Sequence, residues 1–579
     1  METEGKTMRL NVVKSKNAAS LYVIRSQRVN KQNKTFIVEK LGTEAELREK
    51  LNGRDPYEWA KEHVAELNRQ EMEGKEPPII AKYSPTARIE KDVQQSFHGG
   101  YLFLQRLYYE LGFPKICEQI TEKHAFAYDL NSILSRLLYT RILFPGSKRS
   151  AYELSKRFIE QPNFGLPHIY RALDVLNQES DLIQSELYKN SLKLSKRNSS
   201  ILYYDCTNYF FEIEQENGIK QYGISKEHRP NPIVQMGLFM DGDGIPLAFS
   251  IQAGNTNEQQ TLKPLEKQIL RDFNLSKFIV CTDAGLACYA NREYNTMGER
   301  SFIVTQSIKQ LPAPLQEWAL ESKGWHLSGE SGSFDLTTLD EDQHRDSVFS
   351  KEQWVTAKGL KQRMVVTYSL AYRNYQRSIR EGQINRALQA IQNGGSKVTK
   401  ANPNDYKRFI AQTHCTNEGE ISSKTLYQLN QEAIAKEAAF DGFYAVCTNL
   451  EADAADIIRV NKRRWEIEEC FRIMKSEFKA RPVYLSLDQH IQAHFMTCFL
   501  SLVLYRYLEK RLGGRFTCQE IVSQLRDMNF KQCKGFGYIP TYTRTGFTDA
   551  LHDAFGFRTD YEILTMKKLK QIKKLTNMK

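Results

Sequence analysis

The sequence predicts an α/β fold, and three observations lead there. A block of strand-like runs (residues 201–213, 233–241 and 245–253) begins abruptly after a long helical region. Alternation follows: helical residues 258–273, then strands at 277–282 and 301–307. After a stretch of different character, a strand at 442–448 leads directly into an amphipathic pattern over 460–475. With 579 residues, 41% hydrophobic and 11% aromatic, the chain can fill well-packed cores and is too long for one.

Taken in order, residues 21–24 and 35–41 are strand-like and joined by a polar turn around Asn30 to Lys34, which predicts a β-hairpin. A charged helix over 45–72 runs into the linker Glu73-Gly-Lys-Glu-Pro-Pro78. Residues 100–194 are helical. Within them Phe144-Pro-Gly-Ser147 separates two helices, 133–143 and 151–158, the second preceded by Lys148 and Arg149 and carrying Lys156 and Arg157. This pair is either a helix-turn-helix that sets those cations against phosphates or two packed helices with basic solvent faces. Ser195-Lys-Arg-Asn-Ser-Ser200 reads as a second linker, and Gly242-Asp-Gly244 as a hairpin turn. Asp241 to Gly244 also opens like a calcium loop, but the twelfth position is Gln252 rather than a bidentate glutamate, which favours the turn.

Residues 309–440 mix strand-like pieces (363–370), one helix (372–392), acidic loops and Asn393-Gly-Gly-Ser396, and read as an insertion. Residues 491–508 form an apolar helix, and a basic tail carries Lys567, Lys568, Lys570, Lys573 and Lys574.

Lys and Arg outnumber Asp and Glu by 81 to 69, a net charge of +12, which favours a polyanionic partner. Ten cysteines without a CxxC pair fit reduced thiols rather than a zinc module. His490 and His494 have zinc-ligand spacing but no third ligand nearby, so helix packing or a DNA contact is expected. The N-terminus lacks a signal-like apolar segment, and the longest apolar run is too short to cross a bilayer. No membrane association is expected.

Three carboxylates stand out by position. Asp205 is a lone acid inside the β-forming run Tyr203-Tyr-Asp-Cys-Thr207, and Asp283 ends the apolar strand before Ala284-Gly285. A charge there is costly unless it is paired or binds a cation. Glu468 lies between Arg464 and Lys475, beside the apolar stripe Ile467, Phe471, Met474 and Phe478. On its own, that helix is equally an ordinary salt-bridge ladder. Together the three acids offer hard oxygen ligands for Mg²⁺ or Mn²⁺, and with a basic chain they point to phosphodiester chemistry.

In these motifs the chain resembles the DDE transposases of the insertion-sequence-four superfamily. Tyr204-Asp205-Cys-Thr207, Thr282-Asp283-Ala-Gly285, and Arg464, Trp465, Ile467, Glu468 and Lys475 carry the resemblance. Residues 223–230, 254–258 and 555–560 extend it over most of the chain after about residue 90. The resemblance implies a ribonuclease-H-like mixed sheet flanked by helices, with an inserted β-rich domain and a mainly helical N-terminal DNA-binding region. The expected domains are 1–78 (hairpin and helix), 79–195 (helical, DNA-binding), 196–308 and 441–512 (the two halves of the core), 309–440 (insertion) and 513–579 (basic C-terminal region).

It further implies an enzyme that cleaves transposon ends and joins the freed 3′-hydroxyl to target DNA. Asp205, Asp283 and Glu468 would be its catalytic metal ligands for two Mg²⁺ or Mn²⁺ ions. The partner would be double-stranded DNA, both transposon ends and target, bound by a homodimer in the cytoplasm at the nucleoid. Arg464, Lys475, Lys226, His228 and Arg229 are the expected phosphate contacts. The superfamily's signature tyrosine is replaced by Asn461, which either takes over a phosphate contact or marks its loss. Trp325 and Trp354 are candidate stackers for an unpaired base. A ribonuclease-H-like nuclease or resolvase that cuts without joining, and a non-catalytic DNA-binding descendant, are the alternatives.

Overall fold

A computed structural model describes the chain except for residues 1–6, 16–17, 30–31, 52–53, 74–78, 80, 82–83, 394–404, 416–420 and 579. All of the expected linker after Glu73, the centre of the first hairpin turn and most of Asn393-Gly-Gly-Ser396 therefore lie outside the described residues. Two compact units emerge, Met1–Lys91 and Asp92–Lys579.

In the first unit, strands Arg9–Lys14, Ala19–Val29 and Gln32–Thr43 form an antiparallel sheet, one strand more than the hairpin read from sequence. The expected single helix is two, Glu44–Lys50 and Pro56–Glu73. Pro56 is the reason: it lacks the N–H that a helix interior needs and is accommodated at a helix start. The first helix is closed by a capping box in which Thr43 and Glu46 exchange hydrogen bonds.

The second unit is mixed α/β. Its central sheet has nine strands: β1 (Ile201–Phe210), β2 (Ile233–Asp241), β3 (Pro246–Ala253), β4 (Ile279–Thr282), β5 (Ser301–Gln306), β6 (His326–Leu327), β7 (Val348–Ala357), β8 (Leu360–Ser369) and β9 (Phe443–Thr448). Their order is β6-β7-β8-β9-β5-β4-β1-β2-β3. The β5-β4-β1 centre is parallel and every other pairing antiparallel. Gly244, at φ +78°, closes the β2–β3 turn as its sequence suggests.

Much of the insertion does not form a separate body. Strands β6, β7 and β8 continue the central sheet through β9, which covers the edge that β9 would otherwise present to solvent. A helix, Leu370–Gln392, and a two-stranded ladder, Ile410–Cys415 with Ile421–Leu429, complete it.

The helical region before β1 shares one apolar core with the sheet and with the long helix near the C-terminus. Helix α1 (Leu130–Leu143) is buried along nearly its whole length. It packs on that later helix, and the following helix, Lys148–Ser155, packs on α1. Both helices pack into the core, and Lys148 is not on a solvent face but 4% exposed with its ammonium unpartnered, and burial pushes its pKa down to about 7. The segment 195–200 is not a free linker either, because Arg197 is buried in an ion pair with Asp241 at 2.6 Å.

Helix α2 (Glu258–Asp272) covers the other face of the sheet. The pattern at 460–475 forms not one helix but α3 (Ala454–Lys462) and α4 (Trp465–Arg472), followed by a wider turn, Ile473–Glu477. The break sits at Arg463 and Arg464, where Arg463 N–H, Arg464 N–H and Glu466 N–H each bond a carbonyl three residues back. The apolar stripe survives it: Ile467, Met474 and Phe478 are fully buried and Phe471 nearly so. Helix α5 (Asp488–Arg511) runs through the core. Among the described residues nine cysteines are free thiols, and no helix is long and apolar enough to cross a membrane.

Buried His98 gives this unit an acid-sensitive point. Its Nε2 faces the Leu525 carbonyl at 2.9 Å, and burial lowers its pKa to about 4. The folded state thus keeps His98 neutral while the unfolded chain protonates near its ordinary 6.5. Stability from this group is complete above pH 6.5 and is lost by ~1.4 kcal/mol per pH unit down to about 4. A shallower fall for His98→Gln than for wild type in denaturation series over that window is the expected result.

Candidate active site

The parallel pairing of β1 with β4 aligns Tyr203 with Cys281. Two residues further along each chain stand Asp205 and Asp283, side by side on one face, just beyond the end of β4. Asp205 Oδ1 accepts the Cys206 N–H at 2.8 Å, and Asp283 Oδ1 accepts the Leu286 N–H at 3.0 Å, which holds the turn after β4. Burial raises the Asp205 pKa to about 6; Lys226 opposes the rise, the Asp283 charge adds to it, and Arg464 opposes it. Two neighbouring carboxylates, one driven toward its neutral form, suit a hard divalent cation that would relieve both burial and repulsion.

Glu468 arrives from α4, which packs on β1. It is not the half-buried acid between two cations that its sequence suggested: its side chain is 63% exposed, with Arg464 at 3.7 Å. Lys475 pairs instead with Glu227 at 3.5 Å. Arg464 acts electrostatically on Asp205 and ion-pairs Glu468, so it links the acids. Among the described residues, the acid and histidine groups close enough to share one ion are Asp549, His552 and Asp560, not these three. The guanidiniums of Arg544 and Arg558 already engage that other group.

Arg464 is itself positioned. It donates to Thr305 Oγ1 at 3.2 Å, Thr305 shares a 2.8 Å hydrogen bond with the Tyr444 hydroxyl, and Asn461 Nδ2 donates to that hydroxyl at 2.7 Å. Asn461 is 4% exposed, and its Oδ1 faces the Cys281 thiol. Its placement does not meet the expectation of a phosphate contact: the amide works inside the fold, on β9 and β4. Sequence reasoning missed Tyr444 and Thr305, which have no motif and meet Arg464 only through the β9–β5 pairing. Tyr444→Phe leaves the Asn461 amide and Thr305 short of a partner, and a loss of about 1–2 kcal/mol in chemical denaturation is expected.

Of the remaining expected DNA contacts, Arg229 is the one seen against Phe210. Lys226 donates to the Cys206 carbonyl and pairs with Glu258 at 3.3 Å. Burial works against its charge, but Asp205 and Glu258 hold its pKa above the ordinary value. Arg229 lies over the Phe210 ring at 4.2 Å, and Arg481, absent from the sequence reading, lies over the same ring at 4.7 Å. His228 is exposed, with a left-handed backbone at φ +55°. Lys475 is largely buried, which lowers its pKa, and sits over Tyr209 at 5.5 Å.

Other expectations change. Trp325 is fully buried, packed against Tyr368 and Phe443, and cannot stack a base; Trp354 is 40% exposed beneath Lys361. His490 pairs with Asp174 at 3.0 Å while His494 faces the Ala480 carbonyl at 2.9 Å, so the two do not form a metal pair.

Residues 210–504, just over half of the chain, match the family model of the transposase DDE domain, and the chain belongs to that family. It is thus a polynucleotidyl transferase of the DDE type, a DNA transposase whose family depends on divalent metal. The matched range contains Asp283 and Glu468 and begins just after Asp205. Among solved structures the chain is similar to a piggyBac transposase in a synaptic complex with hairpin DNA, with 8% identity and a TM-score of 0.34 over 74% of this chain and 79% of that one. No curated protein matches it.

Proposed function

We propose that Asp205, Asp283 and Glu468 are the catalytic acids of this transposase, within a ribonuclease-H-like core of the insertion-sequence-four type. The observation that carries the reading is the strand register that sets Asp205 beside Asp283 where β4 ends. An antiparallel meander, β1 to β3, extended by the parallel strands β4 and β5, supports the ribonuclease-H-like assignment. When bound, two Mg²⁺ or Mn²⁺ ions would supply an activated oxygen nucleophile and stabilisation of the leaving oxygen.

The protein's own groups do the rest. Asp205 and Asp283 hold fixed negative charge at one place on the sheet. Arg464, anchored by Thr305, keeps a cation between Asp205 and Glu468, where a phosphate would be neutralised. Lys226, His228, Arg229 and Lys475, joined by Arg481, line the approach of the DNA backbone. A first phosphodiester is cut by water to leave a 3′-hydroxyl; that hydroxyl then forms a new bond to target phosphorus as the target's own 3′-oxygen departs. Exposed Lys567, Lys570 and Lys574 on one side of the helix Met566–Thr576 support a DNA-facing C-terminal region. We assign two copies to the active complex, one for each transposon end.

A strand-transfer assay with Mg²⁺ and the inverted repeat flanking the gene tests this reading. Joined product is expected from wild type, and a loss of about 10³-fold from Glu468→Ala. Nicks without joining would favour a nuclease, and binding without cleavage a non-catalytic binder. Tyr444→Phe, which loosens Arg464 without touching an acid, is expected to slow cleavage by about three- to tenfold.

A further inference from the structure

Glu227 is the one acid in the run Lys226 to Arg229, and none of these steps gives it a role. Its two carboxylate oxygens are divided between two cations. Oε1 lies 3.5 Å from the Lys475 ammonium, and Oε2 lies 2.6 Å from the Arg481 guanidinium. Among the described residues no other acid pairs with either cation. Both are groups that would line the approach of the DNA backbone, so in the free protein an acid already occupies the place between them.

The two cations need an anion there. Burial works against the Lys475 charge, Glu227 supports it, and Arg481 opposes it. The aromatic rings beside them add a weaker attraction, with Lys475 5.5 Å from the Tyr209 ring and Arg481 4.7 Å from that of Phe210. Glu227 is also firmly placed. Ser225 Oγ accepts the Glu227 and Arg229 N–H groups at 3.3 and 3.2 Å, and the Ser225 carbonyl accepts the His228 N–H at 3.0 Å. Asn208 Oδ1 accepts the Lys226 N–H at 3.3 Å. Asn208 is 2% exposed and lies on β1, so the turn that presents Glu227 is fastened to the strand of Asp205.

A phosphodiester shares the features by which these cations hold the carboxylate: one negative charge spread over two terminal oxygens. It can also answer a need that Glu227 leaves unmet, because Arg481 Nε is buried without a partner. The two anions compete, since like charges placed together between the same cations repel. We propose that Glu227 stands in for a DNA phosphate in the free protein, filling the place between Lys475 and Arg481 and giving it up when the backbone binds. DNA binding then exchanges one set of ion pairs for another, and Glu227 sets the affinity lower than the cations alone would. The proposal rests on the reading of Lys475 and Arg481 as backbone contacts.

The test measures binding of the full-length protein to a labelled duplex carrying the inverted repeat that flanks the gene, by fluorescence anisotropy at one salt concentration. Divalent metal is left out, so that no cleavage contributes. Glu227→Gln is expected to bind about three- to tenfold more tightly than wild type. Glu227→Ala should do the same, which answers for any new hydrogen bond that Gln makes to Arg481. With Lys475 and Arg481 both changed to Met, Glu227→Gln is expected to alter affinity by less than about twofold, because no cation is left to release. Glu299→Gln removes an equal charge from an exposed acid paired with Lys277, and it should likewise change affinity by less than about twofold. Binding that Glu227→Gln and Glu227→Ala leave unchanged or weaken, or a gain that survives loss of both cations or is matched by Glu299→Gln, overturns the proposal. Failure of the underlying reading looks different: Lys475→Met and Arg481→Met would then each bind the duplex like wild type. If those two weaken binding and neither Glu227 variant tightens it, the backbone contacts stand and the stand-in role of Glu227 falls.

Discussion

Asp205→Asn is expected to abolish end cleavage, by about 10³-fold or more, and at the same time to make the metal-free protein more stable. The first effect follows from removing one of two adjacent anionic oxygen donors. The second follows from the cost of the charge it removes. Asp205 titrates near 6 in the folded chain against an ordinary value of 3.8, chiefly because it is buried. An acid whose folded pKa is raised binds its proton more tightly in the folded state, so stability falls as pH rises from 3.8 to about 6 and stays reduced above. At pH 7 the ionised side chain therefore works against folding by an amount on the order of 1–3 kcal/mol, which Asn does not incur. Divalent metal should raise the melting temperature of wild type and leave that of Asp205→Asn nearly unchanged. A variant that melted lower than wild type without metal, or still cleaved, would contradict the assignment of Asp205.

The largest stability effect is expected at Arg197, in the segment just before β1. The guanidinium is almost fully buried and donates to Asp241 Oδ2 at 2.6 Å, Ser191 Oγ at 3.0 Å, and the Ile245 and Pro246 carbonyls at 3.1 and 3.2 Å. Asp241, wholly buried, also accepts from the Asp243 and Ile245 amides at 3.0 and 2.9 Å. One ion pair thus ties the segment before β1 to the β2–β3 turn. Arg197→Met strands a buried carboxylate, and a loss of about 3–5 kcal/mol in urea denaturation is expected. Removing both charges, with Asp241→Asn added, should recover part of that loss, because the stranded anion rather than the missing pair carries most of the penalty.

The strands of the core and the apolar stripe of α4 were legible because period-two and period-3.6 patterns are local properties of the chain. Other features were legible only in part. The run over 460–475 has a continuous helical period, yet the backbone breaks at Arg463 and Arg464, where the turns tighten. Asn461 stands where the signature tyrosine would meet a phosphate and is interior, since Tyr444 arrives from a distant strand to receive its amide. Trp325 and Trp354 are the same residue type in the same insertion, and only packing against Tyr368 and Phe443 buries the first.

By itself, then, the sequence determined the order and type of the core elements, the basic character of the chain, and the positions of three acids on two strand segments and a helix. Tertiary structure alone decided what those acids meet. The β1–β4 register sets Asp205 beside Asp283, the β9–β5 pairing delivers the Tyr444 and Thr305 hydroxyls to Arg464, and Glu227 takes Lys475, leaving Glu468 exposed with Arg464 alone. Strand register and helix breaks depend on contacts between residues far apart in the chain, and local periodicity carries no record of those contacts.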